Sequence, residues 1–200
     1  MPTQPMIVGQ SVLLVIDIQK GGAEGAAAGI PVMAGHQQAV ANAERVVAAA
    51  RAAGVPVVFF QEAHRRSLVD FGRELDGVEG VHCLEGDVST ELVESLRPSG
   101  PNEHFIVKRR YSCFLGTELE ILLRGLKAQT LVLVGALTDV CVHYTFADGH
   151  QRDHHMRVVQ DAVIGSSQSA HDASLAAMEY LQTGARRDTA EIVAAWSAGS

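Results

Sequence analysis

The feature that most narrows the folds open to this chain is a series of short apolar runs separated by helix-length segments. Leu131-Val132-Leu133-Val134 is the clearest of them, with no polar position to offer a solvent face. A strand with nothing to show water on either side belongs inside a parallel sheet covered on both faces. Ser11 to Ile16 reads the same way, as does Val55 to Phe60, whose Pro56 sits near the start where proline is tolerated. His104 to Val107, Arg157 to Gln160 and Ala190 to Ala195 complete the expected strands. Helices are predicted over His36 to Ala53 and Thr117 to Leu126, where Leu119, Leu122, Leu123 and Leu126 share a face. Asp139 to Gln151 and Ser169 to Gln182 are also read as helices, with shorter ones at Leu68 to Leu75 and Val88 to Leu96. Gly21 to Gly29 is rich in glycine and alanine and reads as a loop. Strands alternating with helices predict one α/β domain over residues 1–200.

Composition removes several classes of function. With 200 residues, 47% of them hydrophobic, the chain can bury a sizeable core. A net charge of −7 argues against nucleic acid or an anionic membrane as partner. Cys83, Cys113 and Cys141 form neither a Cys-x-x-Cys pair nor a disulfide framework, so a cytoplasmic location is expected. Neither G-x-G-x-x-G nor G-x-x-x-x-G-K-[ST] occurs, and no G-x-S-x-G elbow.

Ligands of open parallel sheets sit beyond the carboxyl ends of the strands. Three reactive groups are expected at that edge. Asp17 ends the first strand, Lys108 follows the third, and Cys141 follows the fourth after Gly135 and the potential helix cap Thr138-Asp139. A thiol in the first turn of a helix is expected to have its pKa lowered by the positive helix end. The carboxylate can serve as general base, and the ammonium can hold the thiolate. His143, two residues past Cys141, would point about 200° away on a helix, which disfavours a Cys–His dyad. His150 and His154 have i,i+4 spacing, read here as cations at a helix C-terminus.

These pieces resemble the isochorismatase-like cysteine hydrolase superfamily, which includes nicotinamidases, N-carbamoylsarcosine amidohydrolase, biuret hydrolase and ureidoacrylate amidohydrolase. The likeness is carried by Leu14-Val15-Ile16-Asp17-Ile18-Gln19, Val107-Lys108-Arg109-Arg110-Tyr111-Ser112, Phe114-Leu115-Gly116-Thr117 and Gly135-Ala136-Leu137-Thr138-Asp139-Val140-Cys141-Val142. Val158-Val159-Gln160-Asp161-Ala162 follows in order. The resemblance implies a three-layer αβα Rossmann-like fold with a six-stranded parallel sheet in the order 3-2-1-4-5-6. It also implies an Asp17–Lys108–Cys141 triad and a cis peptide between Ala136 and Leu137. The backbone N–H groups of Leu137 and Cys141 would then form the oxyanion hole. In that sheet order the third strand lies roughly 10 Å from the first, at about 4.8 Å per strand, so Lys108 must reach inward.

The substrate expectation comes from the same resemblance. Nicotinamidases carry an Asp-x-His and further histidines after the second strand that bind a divalent metal. Here the stretch reads Gln61-Glu62-Ala63-His64-Arg65, closer to the ureide and biuret branch, and no metal or other cofactor is expected. Gln19, Glu62, His64, Tyr111, Phe114 and Thr138 are candidate substrate contacts. The expected activity is hydrolysis of a C–N bond in a small amide or ureide through a thioester. Nicotinamidase-like or vinyl-ether hydrolysis, and a non-catalytic binding scaffold, are the alternatives. The resemblance also implies a homo-oligomer, a dimer or tetramer.

Overall fold

The computed structural model describes residues 5–23 and 30–198. Its sheet has six strands, β1 (Gln10–Ile16), β2 (Val57–Glu62), β3 (Glu103–Lys108), β4 (Ala128–Ala136), β5 (His155–Ile164) and β6 (Arg186–Arg187). All neighbours pair in parallel, in the order β3-β2-β1-β4-β5-β6. The helices are α1 (Lys20–Ala23), α2 (His36–Ala52), α3 (Leu119–Gly125), α4 (His143–His150), α5 (Gln168–Leu181) and α6 (Thr189–Ala198). Among the described residues, no helix is long and apolar enough to cross a membrane.

Period-two alternation along the central strands divides the core in two. Val12, Leu14 and Ile16 of β1 pack with Leu131 and Leu133 of β4 against Leu119, Phe146 and Leu175 from α3, α4 and α5. Leu13 and Val15, with Val132 and Val134, face the opposite way onto Val46, Val47, Ile192 and Trp196 from α2 and α6. The apolar runs are continuous because each residue has a helical layer to meet.

Several expected elements differ from those observed. Ala190 to Ala195 is helix, not strand, and the sixth strand is the two-residue β6 before it. The Glu191 carboxylate accepts from the Asp188 N–H at 2.8 Å, and the Ile192 N–H reaches Asp188 O at 3.2 Å. That arrangement nucleates a helix whose apolar face carries Ile192 and Trp196 at i,i+4. The helix expected over Val88 to Leu96 is split into one-turn 3₁₀ segments at Val88–Thr90 and Glu94–Leu96. Between them the backbone is taken by tertiary partners, because the Lys20 N–H bonds Glu91 O at 2.9 Å and the Val93 N–H bonds Ile18 O at 3.1 Å. Of the helix expected at Leu68 to Leu75, only a turn at Glu74–Asp76 forms. The loop expected over Gly21 to Gly29 begins instead as α1, and residues 24–29 lie outside the described residues.

Candidate active site

Strand register brings the site together. The β1–β2 ladder pairs Ile16 with Phe60, and the β2–β3 ladder pairs Glu62 with Lys108. Asp17 follows β1 with φ at 50°, a left-handed conformation unusual outside glycine and asparagine or aspartate and often found where a side chain must be aimed. Lys108 has no solvent exposure and bridges the strand ends as the sheet order required. Its Nζ lies 2.7 Å from Glu62 Oε2, 2.7 Å from Asp17 Oδ2 and 3.4 Å from Cys141 Sγ, and it donates to Arg110 O at 3.0 Å. The Asp17 contact is an ion pair outside hydrogen-bond alignment, which leaves both Asp17 oxygens buried without a hydrogen-bond partner.

Cys141 reaches this cluster from a wide five-residue π-turn, Thr138–Val142, that precedes α4. The expected cap does not form there. Asp139 instead accepts from the Ser166 N–H and hydroxyl at 2.8 and 2.5 Å, and the Thr138 hydroxyl meets His171 Nδ1 at 2.9 Å. The Ala136–Leu137 peptide is cis. Donation from the Cys141 thiol goes to Glu62 Oε2 at 3.5 Å, and its sulfur lies within 4.8 Å of carboxylate oxygens of both Glu62 and Asp17.

The electrostatics correct one expectation. Burial, with Glu62 and Asp17 alongside, outweighs Lys108 and pushes the Cys141 thiol well above its ordinary pKa, so the resting sulfur is protonated. Burial likewise raises Asp17, to about 6, against the pull of Lys108 and with the Glu62 charge adding to the rise. At Glu62 burial is overcome by Lys108 and two imidazoles, which hold the carboxyl well below its usual range. Lys108 is held firmly charged, because its desolvation is outweighed by the Asp17 and Glu62 carboxylates.

The imidazoles belong to His64 and His82, whose Nε2 atoms lie 3.2 and 3.3 Å from Glu62 Oε1. His64 Nε2 is also 3.2 Å from Glu74 Oε2, and its ring stacks on Phe71 at 3.9 Å. Glu62, His64, Glu74 and His82 thus converge, each offering one ligand atom within 4.8 Å of the others. Two imidazoles and two carboxylates suit a divalent cation when the rings are neutral. Here burial opposes protonation, but hydrogen bonds to Glu62 and Glu74 raise His64 to about 9, and Glu62 with the Gly80 carbonyl raises His82. Without a cation, the two imidazoles hold these carboxylates in an ion-pair network. Glu74 and His82 were missed in the sequence because they lie in irregular chain with no periodicity to place them.

A cavity opens above the triad, lined by Asp17, Gln19, Glu62, Tyr111, Leu137 and Cys141. Of these, Gln19 is occupied internally. Its Nε2 donates to Glu62 O at 3.0 Å and Thr90 O at 2.6 Å, and its Oε1 accepts from the Glu62 N–H at 3.2 Å. His64, Phe114 and Thr138 are not brought to the cavity wall. His64 lies behind Glu62, Phe114 packs in the core beneath the Arg152 guanidinium, and Thr138 is fully buried against His171. Cys83 lines the same cavity as Cys141, whereas Cys113 is core.

The Isochorismatase domain profile matches residues 11–191. The chain belongs to the isochorismatase family. It is similar to a ureidoacrylate amidohydrolase of Pantoea ananatis, 33% identical over 173 residues, covering 76% of this chain and 68% of that one. Among solved structures, a cysteine hydrolase from Pseudomonas syringae pv. phaseolicola superposes with a TM-score of 0.82 at 25% identity, covering 96% of this chain and 94% of that one. N-carbamoylsarcosine amidase from Thermoplasma acidophilum gives 0.75 at 26% identity, covering 90% and 96%.

Proposed function

We propose that this chain is a cysteine amidohydrolase that cleaves a C–N bond of a small amide or ureide. The observation that carries the reading is the convergence of Asp17, Lys108 and Cys141 at the floor of one cavity. The amidohydrolase and amidase among its relatives support the same reaction class.

Because the thiol rests protonated, attack needs a base, and two carboxylates stand close enough to compete. Glu62 is the weaker base, since its cations hold its pKa low, while Asp17 at about 6 is matched to neutral pH. Asp17 therefore takes the Cys141 proton as sulfur bonds the substrate carbonyl carbon. The tetrahedral oxyanion is received by the Leu137 and Cys141 N–H groups, a stabilisation whose loss typically costs about 10²–10³ in rate. As the C–N bond breaks, Asp17 returns the proton to the departing nitrogen. A thioester remains, or a thiocarbamate where the substrate is a ureide. Water then adds, Asp17 accepts its proton, and the acid or carbamate leaves as the thiol is restored. Lys108 positions both partners and balances the charge that passes between them. A cytoplasmic homo-oligomer is part of this reading; the location rests on the cysteine set and the oligomer on the family resemblance.

Ammonia release over biuret, N-carbamoyl amino acids, ureidoacrylate, nicotinamide and maleamate tests the class. At least one is expected to turn over, and Cys141→Ala is expected to lower kcat by roughly 10³-fold or more. Silence across the panel, or full activity in Cys141→Ala, would overturn the reading.

A further inference from the structure

Among charged side chains, acidic ones predominate on the cavity wall. Asp17, Glu62 and Glu79 all line it; among the described residues no lysine or arginine does, and the imidazole on the wall, His82, is bound to Glu62 Oε1 and the Gly80 carbonyl. Much of the remaining wall is apolar, from Ile18, Ile30, Val32, Val140 and Ile164. Cations near the site are already committed. Lys108 is sealed below the floor between Asp17 and Glu62, and Lys20, beside the wall residue Gly21, pairs with Glu91 at 2.5 Å. Arg109 pairs with Glu85 at 2.6 Å, and Arg110 donates to the Asp70 carbonyl. Residues 24–29 contain no lysine or arginine in sequence.

Two of the three carboxylates are answered from within the protein, Asp17 by Lys108 and Glu62 by Lys108, His64 and His82. Glu79 is not. It is half-buried, and among the described residues it makes neither a hydrogen bond nor an ion pair. Burial raises its carboxyl pKa, with His82 opposing and Glu62 adding to the rise. A donor or cation arriving on a ligand would satisfy Glu79, and a second carboxylate would be repelled with no uncommitted cation to offset it.

We propose that Glu79 sets the charge specificity of this cavity, which admits a small amide or ureide that is otherwise uncharged or cationic and turns away one bearing a carboxylate. This rests on the amidohydrolase reading above. It also separates this chain from the relatives named for ureidoacrylate, an acid whose carboxylate would find no uncommitted cationic partner on this wall.

The test compares ureidoacrylate with its methyl ester, a pair differing in that one charge. Wild-type kcat/KM is measured from carbamate-derived ammonia, and Kd is measured by calorimetry on Cys141→Ala. The ester is expected to be favoured by roughly ten- to a hundredfold in both, with a preference that shrinks as salt rises. Glu79→Gln is expected to narrow that ratio several-fold. Glu79→Ala repeats the comparison if the glutamine variant is less stable. A preference for the acid, or a ratio that neither variant moves, overturns the proposal. Selective binding of the ester by Cys141→Ala without turnover in the wild type would instead overturn the amidohydrolase reading and leave the charge selectivity standing.

Discussion

A carboxylate proposed as a base near neutral pH, yet buried beside an ammonium, is caught between two opposed influences. At Asp17, burial wins, and its pKa of about 6 makes the carboxyl protonated below that pH and a base above it. The sign for activity follows directly. Cleavage that depends on ionised Asp17 is full well above pH 6 and falls about tenfold per pH unit below it. The Glu62 charge contributes to the rise, so Glu62→Gln is expected to move the acid limb of kcat/KM to lower pH. A limb that stays put in that variant would assign it to another group. At this scale the sequence was informative where a reactive residue ends an apolar run, as Asp17, Lys108 and Cys141 each follow a strand. It was silent on Glu74, Glu79 and His82, because their meeting depends on how residues 63–102 fold back over the sheet edge. It also misjudged the thiol, since a helix-start position is visible in sequence whereas the burial that keeps Cys141 protonated is not.

The element that holds the triad in register is the β1–β4 pair, and its tightest point is Gly135. This residue stands opposite Ile16 with φ at 126°, and a Cβ built there would lie 2.0 Å from the Ile16 carbonyl oxygen. Glycine is needed on both counts, for the conformation and for the approach of two backbones. In sequence, Gly135 read as the end of the strand. In the structure β4 runs on to Ala136, because the missing side chain lets the strands close up while a register shift between Leu133 and Gly135 adjusts the pairing with β5. Gly135→Ala must displace β1 one residue before Asp17. It is expected to cost about 3 kcal/mol or more in urea unfolding. Activity should fall even under conditions where the variant is fully folded, whereas a stable, fully active variant would show that the close approach is dispensable.

For the molecule as a whole, alternate residues of the same strands serve both helical layers, so neither layer is energetically separate from the other. The triad lies at the strand ends, while Trp196 closes the layer of α2 and α6, buried against the Leu13 and Val15 side of the sheet. Its indole N–H donates to the Ser11 hydroxyl at 3.1 Å, tying the last helix to the first strand. The strand expected at Ala190 to Ala195 would have left this face with α2 alone. The apolar pattern there fits either period over so short a run, and the capping contacts at Asp188 and Glu191 decide for helix. Trp196→Ala is expected to cost roughly 3–5 kcal/mol as a large core deletion. At about 2–4 °C per kcal/mol for a domain of this size, Tm should fall by on the order of 10 °C. Trp196→Phe should recover much of that loss, since the ring still fills the layer. Because β1 and β4 join both layers, unfolding of the alanine variant should remain a single calorimetric transition, with kcat/KM at low temperature close to wild type. Two resolved transitions would mean that α6 and its layer unfold on their own. An activity loss as large as the stability loss would mean that this face takes part in shaping the cavity.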